Sequence, residues 1–242
     1  MKTVLIGAGY RGMALLRLMK DMPFFELAAV ADPALTVAGA GVLSAGQAAA
    51  PLDGLKIYAA GPEDYRRMLA EQKPELAVVC SPWHLHIPQA AECLKAGCNV
   101  ALEIRGGGTE GEYAPLEALC ARPDGPKVFP MENLIFRRDI LAVREMARSG
   151  LFGEIVSMKG GYHHDLRDEL VDARGILGGS AMGDAHGKTH EAWRGKAYTT
   201  ANGDIYPTHS IAPLCLIGGI HAFATVNSTA SKAAGLREKL GP

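Results

Sequence analysis

The sequence has no strong excess of either charge, no paired cysteine motif and no long uninterrupted apolar run, and each deficit argues against a class of protein. Across 242 residues, 25 Lys and Arg stand against 26 Asp and Glu, and this formal net charge of −1 argues against binding to nucleic acid or to an anionic membrane surface. The five cysteines are odd in number and form no C-x-x-C, which predicts free thiols in a reducing cytosol and no structural zinc site. The uncharged stretch 33–52 is interrupted by Pro, Gly and Ser and therefore predicts no membrane span.

A secretion signal is also missing from the sequence, because Met1 and Lys2 lead directly into a short strand-like run, and we expect a cytoplasmic protein. Glycine is abundant instead, with 29 residues, and hydrophobic residues make up 48% of the chain. Such a composition is typical of a globular protein with a sizeable core and excludes a disordered chain.

The first half of the chain alternates short apolar runs with helical patterns. The predicted strands are Thr3–Ile6, Glu26–Ala31, Lys56–Ala59, Leu76–Cys80, Asn99–Leu102 and Lys127–Phe129. The predicted helices between them are Arg11–Lys20, Pro62–Glu71, Pro88–Ala96 and Glu110–Ala121. The stretch 33–52 should supply the second crossover helix, although its three glycines weaken the helical pattern. This βαβ rhythm predicts a Rossmann doubly wound parallel sheet of the α/β class, with its nucleotide-binding domain at residues 1–132.

The rhythm changes after residue 132, which predicts a second, α+β substrate domain at residues 133–242. An amphipathic pattern predicts a helix over Asp139–Arg148, and apolar runs predict strands at Glu154–Gly161 and Ala222–Ser228. A short helix is expected near His209–Ile217. The long, weakly periodic stretch from Tyr162 to Asn202 is polar and rich in Gly and His, and irregular stretches of this length usually carry function.

A G-x-G-x-x-G motif follows the first predicted strand and opens the first helix. In it, Gly7 permits a tight turn, Gly9 permits close approach of a pyrophosphate, and Gly12 permits close helix packing. Asp32 ends the second strand, where a carboxylate accepts hydrogen bonds from an adenosine ribose and repels a 2′-phosphate. The pattern predicts NAD as the cofactor, in preference to NADP, whereas the alternative is a plain turn followed by an acidic strand end.

Two further segments follow strands at the carboxyl edge of the sheet, where open α/β sheets bind ligands. Ser81–Pro88 contains Trp83, His84 and His86, and the spacing of the histidines allows metal binding, but no matching acid or cysteine cluster accompanies them. We therefore expect no metal and interpret this loop as a wall of the cofactor site, with a core position for Trp83 as the alternative. Glu103-Ile104-Arg105 ends the fifth strand and predicts another cofactor contact.

Polar segments beyond the sixth strand predict the substrate site. They contain Glu132 and Asn133, then Tyr162 and His164, then Arg194, and finally Tyr206, Pro207, Thr208 and His209. Taken together, Tyr, His, Glu and Arg in one irregular region suit the binding of a polyol and proton transfer near neutral pH.

With these residues in place, the chain resembles the NAD(P)-dependent Gfo/Idh/MocA oxidoreductases, and among them glycoside hydrolase family 109, the NAD-dependent α-N-acetylgalactosaminidases. The resemblance runs from Val4 to about Leu240, and its most specific segments are MENLIFRR at 131–138, GGYHHDLR at 160–167 and NGDIYPTH at 202–209. The fifth strand of the wider family ends Glu-Lys-Pro, with the lysine at the hydride-transfer site. Here the matching positions are Glu103, Ile104 and Arg105, and the missing lysine favours the glycosidase branch.

The resemblance implies a site residue by residue. It places NAD against Arg11, Gly12, Asp32, Trp83, His84, His86, Glu103, Ile104 and Asn133. It places the substrate against Glu132, Tyr162, His164, Arg194 and the segment Tyr206, Pro207, Thr208 and His209. It implies hydrolysis by transient oxidation of the sugar at C3, loss of the C2 proton, elimination at C1, addition of water and re-reduction, an exception to two-carboxylate hydrolysis. Tyr162 is then the predicted base at C2, with His209 or His164 acting at the C3 hydroxyl.

Two other functions stay open at this point, a sugar or polyol dehydrogenase with net reduction of NAD and a non-catalytic NAD- or sugar-binding remnant. Members of the family extend past the position that matches residues 231–236, so we expect a truncated or reduced chain with an incomplete substrate domain. The expected partner is a small carbohydrate, with no nucleic acid or membrane, and a homo-oligomer is left open.

Overall fold

The fold is built on a parallel sheet of six strands. The computed structural model describes residues 1–35, 52–165 and 207–230, together with the single residues 197, 205, 234 and 238. The strands are β1 (Lys2–Ile6), β2 (Glu26–Ala31), β3 (Lys56–Tyr58), β4 (Leu76–Val79), β5 (Asn99–Leu102) and β6 (Val128–Pro130). Their order is β3-β2-β1-β4-β5-β6, so the strand order reverses between β1 and β4, and every strand pair is parallel.

Helices connect the strands and continue beyond the sheet. They are α1 (Tyr10–Lys20), α2 (Asp64–Gln72), α3 (Trp83–Lys95), α4 (Glu110–Cys120), the 3₁₀ turn Leu134–Phe136, α5 (Arg138–Arg148) and α6 (Pro207–Gly218). Pro207 occupies the first position of α6, where its missing N–H costs no intrahelical hydrogen bond.

Both faces of the sheet are covered, and the side chains of β1 alternate between two apolar cores. Val4 and Ile6 face a core that includes Met68 of α2 and other apolar side chains from α3 and α4. Leu5, between them, faces the opposite core, which includes Leu16 of α1. A sheet buried on both faces requires strands that are apolar along their whole length. The two cores and the strand order together confirm the predicted Rossmann doubly wound fold.

The structure begins α3 at Trp83, earlier than the predicted helix start at Pro88. Buried side chains recur along this helix at positions 83, 86, 87, 90, 91 and 94, which is the spacing of a helix with one buried face. The burial of Trp83 and Ile87 on that face outweighs the hydrogen bond that Pro88 cannot donate, so the segment expected to be a loop is the first turn and a half of the helix.

Strands were expected at Glu154–Gly161 and Ala222–Ser228, and the structure forms neither of them. A strand requires a hydrogen-bonded neighbour, and in the described part of the chain neither segment pairs with another. The side chains of Val156 and Val226 are 89% and 75% exposed, so the apolar alternation that suggested strands does not bury them. Part of each segment instead packs near α6 and lines an apolar groove that includes Met158, Leu214 and Phe223.

The second crossover helix expected within residues 33–52 falls mostly outside the described residues, although Leu35 and Leu52 on either side are buried in the core on the α1 face. No helix among the described residues has the length and apolarity to cross a bilayer.

Candidate functional site

The glycine motif forms a tight loop between β1 and α1. Gly7 has φ of +91°, a left-handed conformation that favours glycine, and a Cβ there would lie 2.5 Å from the backbone nitrogen of Ser81. A Cβ on Gly12 would lie 2.0 Å from the carbonyl oxygen of Gly7, so only glycine lets α1 approach the loop this closely. A Cβ on Gly9, in contrast, would meet no atom within 4 Å, which leaves open space above the N-terminus of α1. Backbone of this shape fits a dinucleotide pyrophosphate.

Asp32 follows β2 and fastens the same loop. One of its carboxylate oxygens accepts a hydrogen bond from the backbone N–H of Ala8 at 2.7 Å, and the other accepts one from Ala34 at 2.8 Å. Each oxygen retains a second lone pair, so the carboxylate can still accept from a ribose hydroxyl. Asp32 therefore has a structural task beside the predicted cofactor contact.

Arg11 and Glu103 join the first turn of α1 to the end of β5. The Arg11 Nε atom lies 2.7 Å from a Glu103 carboxylate oxygen, and the Glu103 side chain is mostly buried. The other oxygen accepts a hydrogen bond from the backbone N–H of Ile104, whose side chain is also buried. The three predicted cofactor residues thus lie together at one edge of the sheet, but Arg11 and Glu103 bind each other.

His86 is buried, and both of its ring nitrogens face backbone carbonyls. Its Nδ1 atom lies 2.6 Å from the carbonyl oxygen of Arg105, and its Nε2 atom lies 2.6 Å from that of Ser81. Burial lowers the pKa of the His86 imidazole, and the carbonyl contacts offset only part of that effect. A neutral imidazole has one N–H, so His86 donates to one of these carbonyls and packs against the other. It thus supports the loops after β4 and β5, whereas His84 is exposed.

Trp83 lies at the first position of α3, and its side chain is only 7% exposed. It is nevertheless more than a core residue, because the guanidinium carbon of Arg105 lies 5.6 Å from the centre of its ring, within the range of a cation–π contact. Sequence reasoning placed Arg105 only within a motif and assigned it no side-chain role. The signal that could have revealed it is an arginine directly after a strand end that faces the cofactor loop.

Glu132 and His209 form a buried pair. The two carboxylate oxygens of Glu132 lie 2.9 and 3.0 Å from the Nδ1 atom of His209. One of these oxygens also accepts the backbone N–H of Leu134 at 2.8 Å, which holds the carboxylate in place. The contact brings together the loop after β6 and the first turn of α6. A carboxylate that accepts from Nδ1–H fixes the orientation of the ring and stabilises the positive charge that develops when the imidazole takes up a proton.

Tyr162 lies beside that pair. Its ring centre is 4.7 Å from the ring centre of His209, and its hydroxyl lies 3.3 Å from the Nδ1 atom of His164. The Tyr162 side chain is 39% exposed and therefore accessible to a ligand. The structure thus brings four predicted site residues into one cluster, Glu132, His209, Tyr162 and His164.

The remaining predicted substrate residues divide between described and undescribed parts. Pro207 and Thr208 begin α6 next to His209, and the Thr208 hydroxyl is buried with no hydrogen-bond partner in the part of the chain that the structure describes. A buried hydroxyl of this kind suits a ligand contact. Asn133 is exposed beside Glu132, whereas Arg194 and Tyr206 lie outside the described residues.

The described residues form no metal site, and burial disfavours the reactive thiolate form of three cysteines. Among residues 1–35, 52–165 and 207–230, no group of three or more His, Cys, Asp or Glu side chains could hold a metal ion. The five cysteines are free, as predicted. Burial raises the pKa of the Cys98 thiol to about 12 and raises that of Cys80 and Cys93 as well, so these thiols are not nucleophiles at neutral pH.

Comparison with known protein families gives one match for each half of the chain. Residues 1–104 match the oxidoreductase family with an NAD-binding Rossmann fold. Residues 136–240 match the C-terminal domain of glycosyl hydrolase 109. The first match confirms NAD as the cofactor of this domain, whereas the preference for NAD over NADP stays a prediction.

Individual relatives agree with both matches. A glycosyl hydrolase family 109 protein of Stenotrophomonas maltophilia is 29% identical over 246 residues, which cover 98% of this chain and 53% of the relative. An alpha-N-acetylgalactosaminidase of Tannerella forsythia is 34% identical over 190 residues, which cover 75% of this chain and 40% of the relative. The chain therefore spans about half the length of these relatives.

Among solved structures, the WlbA (WbpB) dehydrogenase of Thermus thermophilus, in complex with NAD and UDP-GlcNAcA, superposes with a TM-score of 0.50 at 25% identity. The superposition covers 61% of this chain and 47% of that dehydrogenase. It agrees with the Rossmann assignment of the sheet.

Proposed function

We propose, on the premise that this chain belongs to the Gfo/Idh/MocA oxidoreductase family and carries the C-terminal domain of glycosyl hydrolase 109, that it hydrolyses α-N-acetylgalactosaminides with bound NAD. The observation that carries the proposal is the cluster of Glu132, His209 and Tyr162. Glu132 of this cluster follows β6, which pairs with β5, and Glu103 follows β5 at the cofactor edge.

The cofactor half of the proposal rests on the loop after β1. The open space at Gly9 and the N-terminus of α1 accept a pyrophosphate, and Asp32 accepts ribose hydroxyls. When bound, NAD supplies a hydride acceptor for the sugar C3 and returns the hydride at the end of the cycle, so that the C2 proton becomes acidic without net formation of NADH.

The proton transfers fall to residues of the cluster. His209 accepts the proton of the C3 hydroxyl, because Glu132 at its Nδ1 stabilises the positive charge that develops on the ring. Tyr162 removes the C2 proton as the phenolate, after its own proton has passed to His164, whose Nδ1 atom lies 3.3 Å from the phenolic oxygen. Loss of the C2 proton expels the substituent at C1 with its bonding electrons. Water then adds its oxygen at C1 and gives up a proton. That proton and the one taken from C2, which exchanges with solvent on the base, together supply one proton to the leaving group and one to C2.

Substrate binding is assigned to the start of α6 and its neighbourhood. The buried Thr208 hydroxyl lacks a partner among the described residues and would hydrogen-bond to the sugar, next to Pro207 and His209. Arg194 and Tyr206, which the family resemblance implies as further contacts, complete the proposed substrate set.

The proposal is tested by the release of p-nitrophenol from its α-N-acetylgalactosaminide, measured on the purified chain with and without added NAD. We expect release that depends on NAD, no growth of NADH absorbance, and exchange of the substrate C2 proton for solvent deuterium. NADH that accumulates in proportion to product would identify a sugar or polyol dehydrogenase instead. NAD binding without any turnover would identify a non-catalytic binding protein.

A further inference from the structure

A second cation lies at the cofactor edge of the sheet, separate from the Arg11–Glu103 pair. The Arg105 guanidinium lies over the Trp83 ring at 5.6 Å, and this ring is itself buried at the first position of α3. A buried aromatic platform restricts the guanidinium to one region without neutralising its charge.

The backbone of Arg105 is held as firmly as its side chain. His86 contacts the Arg105 carbonyl oxygen at 2.6 Å and is anchored on its other side by the carbonyl of Ser81. The Ser81 hydroxyl donates to the buried side chain of Gln89 at 2.6 Å. A buried polar network therefore supports the backbone of Arg105. A side chain held in this way loses little conformational entropy when it binds a ligand.

The charge of Arg105 has no acid to balance it in the described structure. Glu103, the nearest acid along β5, pairs with Arg11, and no carboxylate among the described residues lies within ion-pair distance of Arg105. Glu112, across the glycine loop, uses its carboxylate to accept the N–H of Gly108 and the hydroxyl of Thr109. The guanidinium thus keeps donors for an oxyanion.

The position of Arg105 indicates which oxyanion it meets. The strand order reverses between β1 and β4, so a dinucleotide places its adenosine half toward β2 and Asp32 and its other half toward β4 and β5. Leu102 of β5 pairs with Pro130 of β6, so Arg105 and Glu132 follow neighbouring strand ends. Arg105 therefore lies on the side of the sheet where the Glu132 and His209 cluster lies, away from Asp32.

We infer that Arg105 binds an anionic oxygen group, a sulfate, phosphate or carboxylate carried by the sugar substrate, and that it makes the chain prefer charged over neutral sugars. This inference rests on the proposed function for the place where the sugar binds. Arg105 is then a specificity-determining residue, with Trp83 and His86 as its positioning residues.

The test measures binding to the NAD-loaded chain by calorimetry, with N-acetylgalactosamine, its 4-sulfate and its 6-sulfate as probes. The wild-type chain is compared with Arg105→Gln and with the control Arg17→Gln, which removes a positive charge from the last turn of α1. We expect at least one sulfated sugar to bind about tenfold more tightly than the neutral sugar to the wild type and the control, the size of one charge-assisted hydrogen bond. In Arg105→Gln the preference should fall to within about twofold, while the affinity for NAD, which reports correct folding, stays unchanged.

Equal binding of all three sugars to the wild type would overturn the inference, as would a preference that survives in Arg105→Gln. A loss of NAD affinity in Arg105→Gln with an unchanged sugar preference would also overturn it, because Arg105 would then serve the cofactor diphosphate. Hydrolysis of the neutral glycoside without any preference for sulfated sugars would contradict this inference but support the proposed function. If the chain hydrolyses no glycoside but prefers sulfated sugars through Arg105, the proposed hydrolysis is contradicted and the oxyanion site is supported.

Discussion

The carboxylate of Glu132 lies 2.9 Å from the Nδ1 atom of His209, although the two residues are 77 positions apart in the chain. Both side chains are largely buried, and the same carboxylate accepts the backbone N–H of Leu134. This contact orients the imidazole toward the neighbouring Tyr162 ring. Glu132 thus acts through His209, which makes it a positioning residue of the proposed reaction.

Glu132→Gln should lower kcat for the α-N-acetylgalactosaminide by at least roughly tenfold, because the amide does not stabilise the positive charge on His209 during proton transfer. The affinity for NAD should stay unchanged, since Glu132 lies outside the Gly7–Gly12 loop. Steady-state kinetics beside NAD titration checks both, with Glu145→Gln on the exposed surface of α5 as the control. An equal loss of kcat in Glu132→Gln and Glu145→Gln would show that Glu132 has no specific role in the mechanism.

Tyr162→Phe should leave NAD binding unchanged and lower turnover by roughly 10²–10⁴-fold, because it removes only the phenolic oxygen of the proposed base. The rate of C2 proton exchange, followed by NMR, checks the step directly. His209→Asn measured in parallel separates the two roles. If Tyr162→Phe keeps its exchange rate within a few-fold while His209→Asn loses it, the base at C2 is the histidine.

Asp32→Asn should narrow the preference for NAD over NADP by about tenfold, because it removes the negative charge that repels a 2′-phosphate. The single amide oxygen of the variant can replace only one of the two carboxylate oxygens that accept from Ala8 and Ala34, so one of these hydrogen bonds is lost and both dinucleotides should bind less tightly. Calorimetric titration with both dinucleotides measures the preference, and Asp53→Asn in an exposed turn is the control. Equal affinity of the wild type for both cofactors would contradict the role of Asp32.

Gly12→Ala should destabilise the fold by about 1–3 kcal/mol, because the new methyl group would collide with the carbonyl oxygen of Gly7. Gly9→Ala is the matched variant, since its methyl group meets no protein atom within 4 Å. We expect Gly9→Ala to unfold with the wild-type midpoint in denaturant but to bind NAD less tightly. A Gly9→Ala chain that binds NAD as well as the wild type would show that the pyrophosphate lies elsewhere.

The free energy of unfolding should decrease as the pH falls below about 6.5, in part because of His86. Burial lowers the pKa of His86 in the folded chain, so below its ordinary pKa of 6.5 the unfolded chain binds the proton more readily. The stabilisation is present above that value and is lost as the pH falls toward the folded pKa. The free energy of unfolding, measured with denaturant at about pH 7.5 and about pH 5.5, should differ less between the two pH values in His86→Gln than in the wild type. His84→Gln, the exposed control, should keep the wild-type change; if it does not, the effect does not belong to His86.

The Rossmann sheet and its glycine loop were predictable from the sequence because their signals are local. Short apolar runs separated by helical patterns specify parallel strands buried on both faces, and the motif from Gly7 to Gly12 needs glycine at particular backbone positions. The position of Asp32 directly after β2 was predictable for the same reason, whereas its contact with the cofactor stays a prediction. The part played by the Asp32 carboxylate in holding Ala8 was not predictable, because no local pattern indicates that contact.

Local patterns were misleading where a segment depends on what lies beside it. The start of α3 at Trp83 follows from packing of one helix face against the sheet, which outweighs the missing N–H of Pro88. The apolar runs at 154–161 and 222–228 have strand-like composition, yet a strand forms only where another strand supplies hydrogen bonds.

The sequence by itself determined the fold of the first domain and the types of residue available for chemistry. Only the tertiary structure decided how those residues pair: Arg11 with Glu103, Arg105 with Trp83, and Glu132 with His209. Each pair joins segments that follow different strands or helices. The first two pairs arise because a parallel sheet brings its strand ends to one edge, and the third because α6 packs beside the turn that follows β6. Both are properties of the folded chain.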